Sequence, residues 1–528
     1  MYRFPIKSIA CVLLVLSSLS VSAQFNWSDD IAVLVYEKCS FCHHQDAIAP
    51  FNLMSYQEVQ QYSPLIPHVI NEGSMPPWLP DPKYTHFADE FYMTDAEKGM
   101  LLDWISSGMP PGDLTQAPAP PVYLPSGSLL DTIHHTVSFG AYPLQSNNDE
   151  YRWFVIPNTY TDTIYLNKVE VIPGLDQVVH HADLYYDVTN TSYNFDQQDP
   201  LPGFNQSTGY PNLSRYINAW SPGANPARYP DGWSVPVPPG ADFVMEIHYG
   251  PGGVGQLDST IMNLQFTDAS SATREVQVGW LLSHHPPSLI DGPLVIPGDS
   301  IKFFHQQSTP MAKDYTFLSV APHMHLIGKS YKIWALTPQG DTIRMIDIPN
   351  WDFHWQRYYY WPNPIKLPQG SVIYSRASFD NTVNNHDQPN NPPITISLGS
   401  NTTDEMLLAY FMFTEYELGD EHLVMGDTIP DDVILAMDQV ATLDDFSMQL
   451  FPNPATSELT LSGVIEQADR FQIKVYSSFG ALIAAEEVDL QAGQFKHVLD
   501  ICNLTQGVYY VSSKGQFYGQ VLPFIKRE

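Results

Sequence analysis

FVMEIHY at residues 243–249 and TIYLNKVEVI at residues 163–172 alternate apolar and polar side chains with the period of a strand that buries one face. From about Leu129 to about Glu421 short runs of this kind recur, punctuated by Gly, Pro, Asn and Asp. That pattern predicts β-sandwiches rather than alternating β and α units. About 300 residues are generous for one sandwich, so two tandem jelly-roll-like sandwiches are expected, residues 129–271 and 272–436, divided near Ala269-Ser270-Ser271-Ala272. The fold class is therefore mainly β.

The flanks differ in character. Thr115 to Pro125 read TQAPAPPVYLP, a proline-rich connector (residues 115–128) expected to act as a semi-rigid spacer. Upstream, helical patterns at Asp29 to Lys38 and Asp95 to Ser107 suggest a small all-α unit at 24–114. Downstream, from FPNPA at Phe451, a unit of under 80 residues reads as a separate small β-sandwich, assigned to 449–528. A length of 528 residues accommodates this many cores.

Charge and the N-terminus bound the function. With 57 Asp+Glu against 24 Lys+Arg, the net charge of -33 argues against nucleic acid or an anionic membrane surface as partner. Arg3 and Lys7, the apolar run Ile9 to Leu19 and Val21-Ser22-Ala23 form a secretory signal peptide, residues 1–23, too short to span a membrane. No later stretch reaches about 18 uninterrupted apolar residues, so no membrane span is expected. The mature chain keeps Cys39, Cys42 and Cys502, too few for the disulfide framework usual in exported proteins.

Cys39-Ser40-Phe41-Cys42-His43 is CxxCH, the attachment signature of a c-type haem, with two thiols for the vinyl groups and His43 for the iron. A disulfide or half a zinc site is the alternative; zinc needs two further ligands of similar type, and no other cysteine lies nearby. The segment resembles a small cytochrome c domain. Met75, in Gly73-Ser74-Met75-Pro76-Pro77-Trp78, is the candidate sixth ligand, with Met54, Met93 and Met109 as competitors.

Histidines concentrate in the middle region. His180-His181 is an adjacent pair, which serves one metal only where a strand bends or ends. His323-Met324-His325 puts two imidazoles on one strand face. His180-His181, His248 in EIHYG, His323 and His325 in HMHLIGKS, and Met406 in TTDEM follow the order and rough spacing of the copper type II, ascorbate-dependent monooxygenases, the family of peptidylglycine α-hydroxylating and dopamine β-monooxygenase. Ala219-Trp220-Ser221-Pro222-Gly223 also resembles a family segment. The likeness covers about residues 129–436 and implies two copper ions, one on His180, His181 and His248, the other on His323, His325 and Met406. Imidazole with a thioether suits copper, the thioether favouring Cu(I). His134, His135, His284, His285, His354 and His386 are expected to be structural or solvent-facing.

Departures from the family matter. Ala321 stands where the peptide-amidating branch has an arginine, and Leu408 replaces a polar residue, although Tyr410 matches a family tyrosine. A neutral, more apolar pocket is implied, and peptide amidation is disfavoured. Trp351, Trp355 and Tyr358-Tyr359-Tyr360 are candidates for its wall or for core. The resemblance implies an exported oxidoreductase that hydroxylates a C–H bond of a small or apolar substrate with O2. The fused covalently bound haem c would draw electrons from an external donor and pass them to the His180, His181, His248 copper. The alternative is a non-catalytic copper and haem electron-transfer or copper-binding envelope protein. An adhesive scaffold with structural metals is a third reading. FPNPA, Lys474-Val475-Tyr476, Ser478-Phe479-Gly480 and LTQGVYY ending at Tyr510 resemble a type IX secretion sorting domain. That likeness makes the secretion machinery a partner and the destination extracellular or the cell surface.

Overall fold

The computed structural model describes residues 25–425 and 448–527, apart from positions 46, 48, 89, 124–127, 131, 176, 206–210, 212, 454, 466–467, 478–481, 505–506 and 515–518. The expected signal peptide (1–23), the end of the second expected sandwich (426–436) and Ser478-Phe479-Gly480 lie outside them. The protein is mainly β. It divides into two compact units, 1–428 and 429–528.

The first unit opens with a π turn, Trp27–Ile31, running into α1 (Ala32–Lys38), followed by α2 (Tyr56–Tyr62), α3 (Ile66–Glu72) and α4 (Asp95–Ser106). Short polar residues start these helices: Asn26 caps the first turn and Ser55 caps α2, while Thr94 and Glu97 form a reciprocal capping box on α4. Trp27, Leu34, Leu53 and Trp104 build the helical core.

Two sandwiches follow; burial alternates along strands such as 328–336 and 372–380, whereas 242–249 and 315–324 are buried almost throughout. The first packs β1 (His135–Ser138), β3 (Ile164–Ile172), β7 (Trp233–Val237) and β9 (Ile261–Thr267) against β2 (Glu150–Ile156), β4 (Val179–Asp187), β5 (Phe204–Asn205), β6 (Arg215–Trp220) and β8 (Asp242–Tyr249). Phe243, Met245, Ile247 and Tyr249, one face of β8, lie in its core. The second sandwich has one sheet of β10 (Gln277–Leu282), β17 (Leu407–Glu415), β12 (Tyr315–Met324) and β15 (Tyr359–Leu367), in that order. Its other sheet contains β11 (Ile301–Gln307), β16 (Val372–Asp380), β13 (Gly328–Leu336) and β14 (Thr342–Ile348). The C-terminal unit has two antiparallel sheets, β18 (Met448–Phe451), β19 (Glu458–Ile465) and β22 (Gly493–Asp500), and β20 (Asp469–Ser477), β21 (Leu482–Leu490), β23 (Gly507–Lys514) and β24 (Gly519–Lys526).

The helical segment is not a bead on a string. Phe87 enters the second sandwich's apolar cluster and Ala88 the first's. Trp78 and Phe87 meet Tyr359 with ring centroids 5.4 and 5.3 Å apart, and the Ala88 and Asp81 amides donate to the Tyr360 and Asp347 carbonyls at 2.7 and 2.8 Å. The proline-rich connector does more than space: Tyr123 stacks on His44 at 3.6 Å and its hydroxyl meets Ser40 Oγ at 2.9 Å. Phe87→Ala removes a side chain only 1% exposed. It is expected to cost about 3–5 kcal/mol, read in urea denaturation, and to open the 81–91 segment to limited proteolysis.

Candidate metal centre

The adjacent pair His180-His181 faces one way because the ladder breaks there. β8 and β4 pair His248 with His181 but Tyr249 with Val179, so His180 is the extra residue of a bulge. Three Nδ1 atoms converge: His180 and His181 at 3.2 Å, His181 and His248 at 3.4 Å. These three imidazoles form the one group of three or more His, Cys, Asp or Glu with metal-holding geometry among the described residues. Asp149 accepts from His248 Nε2 at 2.8 Å, which leaves Nδ1 unprotonated and aimed at its neighbours. Asp149 also accepts from Thr402 Oγ1 of the second sandwich at 2.8 Å, and Tyr151 stacks on His248 at 4.1 Å. Burial, then the neighbouring imidazoles, push His180 down to about 3 and His181 well below its ordinary value.

His323 is the penultimate residue of β12 and His325 lies just beyond the strand, their rings 5.2 Å apart. Each donates its Nδ1–H: His323 to Gln356 Oε1 at 2.6 Å and His325 to the Asp404 carbonyl at 3.2 Å. Both Nε2 atoms are thereby left as acceptors. Glu405, fully buried, fastens this turn to Met406: its carboxylate accepts from the His325 and Ile327 amides, both at 2.9 Å, and from Met406 N at 3.2 Å. Burial pushes Glu405 up to about 8 against the pull of those amides. The two sets adjoin, with His181 and His323 rings 6.4 Å apart. Phe353 lies between them, stacked on His180 at 4.4 Å and 5.6 Å from His325.

A cavity of about 570 Å³ receives His180, His181, His323, His325, Met406 and Tyr410, and also Ala321 and Leu408. Its wall carries two acidic side chains, where the sequence had implied a neutral, more apolar lining. Asp183 and Glu246 line it, directly opposed across β4 and β8 and two residues from His181 and His248 on the same face. Tyr185 and Tyr216 donate to Asp183 at 3.4 and 3.3 Å, and burial raises both carboxyls. Tyr358 and Tyr410 complete this end, Tyr410 lying 5.4 Å from Tyr216. His284 and His285, expected to be structural or solvent-facing, also line the cavity, and His284 Nδ1 accepts weakly from the Leu407 amide at 3.5 Å. His134 braces Phe266, while His354 and His386 are exposed beside Asp352 and Asp387. Trp351 and Tyr359 belong to the second sandwich's core and Tyr360 to the first's.

In the helical segment α1 ends at Cys39, and Cys39 and Cys42 are free thiols. Burial pushes Cys39 up to about 12. His43 donates Nδ1–H to the Phe51 carbonyl at 3.0 Å, leaving Nε2 for a metal, and burial lowers its basicity. Free thiols beside an imidazole held in this tautomer, against an apolar core, fit a covalently attached haem. Met75 lies half-buried on the loop after α3, whereas Met93 is packed in the helical core.

Residues 449–521 match the family described as "Secretion system C-terminal sorting domain". The C-terminal unit is a type IX sorting domain. The sorting domain addresses the protein to secretion or the cell surface, and the secretion machinery is its partner. No helix among the described residues is long and apolar enough to cross a membrane. No curated protein matches the chain. Solved structures that match include a Parabacteroides merdae β-glucuronidase (9% identity, 46% of this chain, 31% of that one, TM-score 0.16). A glycosyl hydrolase family 2 member from Bacteroides cellulosilyticus (9%, 49%, 31%, 0.17) and a Ruminococcus gnavus β-glucuronidase (8%, 74%, 46%, 0.17) also match. The chain spans less than half of each of these proteins, and superpositions this poor carry no argument.

Sequence reasoning missed Asp149, Gln356, Asp183, Glu246 and Glu405. Glu246 and Glu405 lie inside the quoted motifs, and Asp183 follows His181 by two, so strand parity alone would have placed it with the ligands. Asp149 and Gln356 lie in irregular segments without periodicity. Asp149→Ala should lower Cu(II) affinity of the three-imidazole set about 10–100-fold, measured by competition with a chelator. In metal-free protein His180 and His323 have folded values of about 3 and 4, below their ordinary 6.5. Their contribution to stability is present above pH 6.5 and is lost as pH falls through those folded values. Calorimetry should show the melting temperature dropping on acidification from pH 7 to 4, with a shallower slope in His180→Gln/His323→Gln.

Proposed function

We propose that this exported chain is a copper-dependent monooxygenase that inserts one oxygen atom of O2 into a C–H bond of a small substrate. The observation that carries this reading is the opening of two imidazole sets, one with a thioether beside it, onto a single cavity. His180, His181 and His248 would hold one copper ion, and His323, His325 and Met406 the other. Copper so held supplies one-electron chemistry with dioxygen, and a haem on Cys39, Cys42 and His43 supplies electrons drawn from an external donor. The overall balance is substrate, dioxygen, two electrons and two protons giving alcohol and water.

The protein's own groups prepare this. Asp149, Gln356 and the Asp404 carbonyl fix ring tautomers, and Glu405 holds the His325 turn to Met406. Asp183 and Glu246, among four tyrosines, favour a substrate with a cationic group and an apolar body, since burial of two carboxylates is offset by a counter-charge. On a strand, two residues span about 7 Å, so a group seated there presents carbons a few ångströms away to the imidazoles.

The test is an untargeted oxidation screen with copper- and haem-loaded protein, following O2 uptake and products heavier by one oxygen. Met406→Ile should abolish uptake while metal remains on the first set. Glu246→Gln should raise KM for cationic substrates at least tenfold and leave neutral ones unchanged. Copper and haem bound without O2 uptake for any substrate would favour the non-catalytic electron-transfer reading.

A further inference from the structure

We propose that Arg357, a residue of the second sandwich, completes the haem site of the helical segment and joins it to His323. This rests on the haem reading above. The segment 24–114 carries 13 Asp+Glu against 3 Lys and no Arg. A haem brings two further carboxylates, and an acidic surround disfavours adding an electron to its iron. The cation comes from outside the segment. Arg357 is only 8% exposed, and its guanidinium lies 5.0 Å from the Phe91 ring centre and 6.0 Å from that of Trp78. Phe91 in turn meets Phe41, between the two haem-attachment cysteines, at 5.1 Å.

Arg357 is also held from behind. Gly223 has φ +74°, and a Cβ there would come within 3.2 Å of Trp355 and 3.3 Å of Arg357 Nη2. Ser221 of the same turn donates to the Gln356 carbonyl. Gln356, one residue before Arg357, accepts the His323 proton at 2.6 Å. Arg357 and the tether of His323 are thus neighbours on one backbone segment, buttressed by the same turn. Arg357 lines the cavity as well, so one short stretch faces both the haem-attachment loop and the imidazoles.

A buried positive charge beside a haem favours the ferrous state. In the full-length holoprotein, Arg357→Gln should shift the ferrous to ferric ratio at a fixed poise at least tenfold toward ferric, a fall of 59 mV in midpoint potential for one electron. Redox titration of the haem's visible band reads it. Arg357→Lys, which keeps the charge but not the planar face over Phe91 and Trp78, should fall by less. Arg357→Met serves if the glutamine variant does not fold. A second readout is the Cu(II) electron paramagnetic resonance spectrum of the His323 centre, which should change in Arg357→Gln and stay unchanged in Lys83→Gln on the helical segment's exposed surface. Haem-loaded Arg357→Gln with wild-type potential and copper spectrum overturns this inference and leaves the proposed function standing. Wild-type protein whose mass shows no attached haem overturns both.

Discussion

A pleated strand sends neighbouring side chains to opposite faces, and the candidate centre exists because one ladder breaks that rule. The slip between His248 and Tyr249 inserts His180 as an unpaired residue in β4. Without it, His181 would face His248 while His180 pointed into the sandwich. With it, three imidazole nitrogens meet. Asp149 then fixes which nitrogen of His248 is available, and Thr402 fixes Asp149, so the arrangement of the first sandwich's imidazoles depends on the second sandwich's loop.

Burial sets the second constraint. The cavity wall holds depressed histidines, raised carboxyls and phenols within one poorly solvated space, a costly arrangement for a fold to keep without ligands. Glu405 shows how the cost is contained: its carboxylate is spent on backbone amides at the turn that carries His325. Asp183 is met by two tyrosine hydroxyls rather than by amides, which marks it and its neighbour Glu246 as the groups with the most to gain from a partner.

Much of this was legible in the sequence. The alternation at 163–172 and 243–249 announced strands, and the helical pattern at Asp29 to Lys38 announced the helix that ends before Cys39, because those signals are local. HxH placed two imidazoles on one side for the same reason. Asp149 and Gln356 were invisible, since their partners lie 99 and 33 residues away and no periodicity links them. The two acidic side chains of the cavity were overlooked because Ala321 and Leu408 were weighed alone, while Asp183 and Glu246 lie beside His181 and His248 on the other sandwich. The proline-rich connector was read from composition as a spacer, and composition could not show Tyr123 returning to His44.

The bond between Asp149 and Thr402 closes a loop of 253 residues, and Tyr151 reaches the Ser400 carbonyl across 249. Contacts so distant along the chain form late, after the local ladders on either side. During synthesis and export the first imidazole set is therefore complete in sequence long before its outer support is. Asp149, itself in the first sandwich, can meet His248 as soon as that sandwich forms, whereas Thr402 reaches Asp149 only when the second sandwich closes. The order of the chain thus makes the centre a record of its own assembly, loose first and braced last.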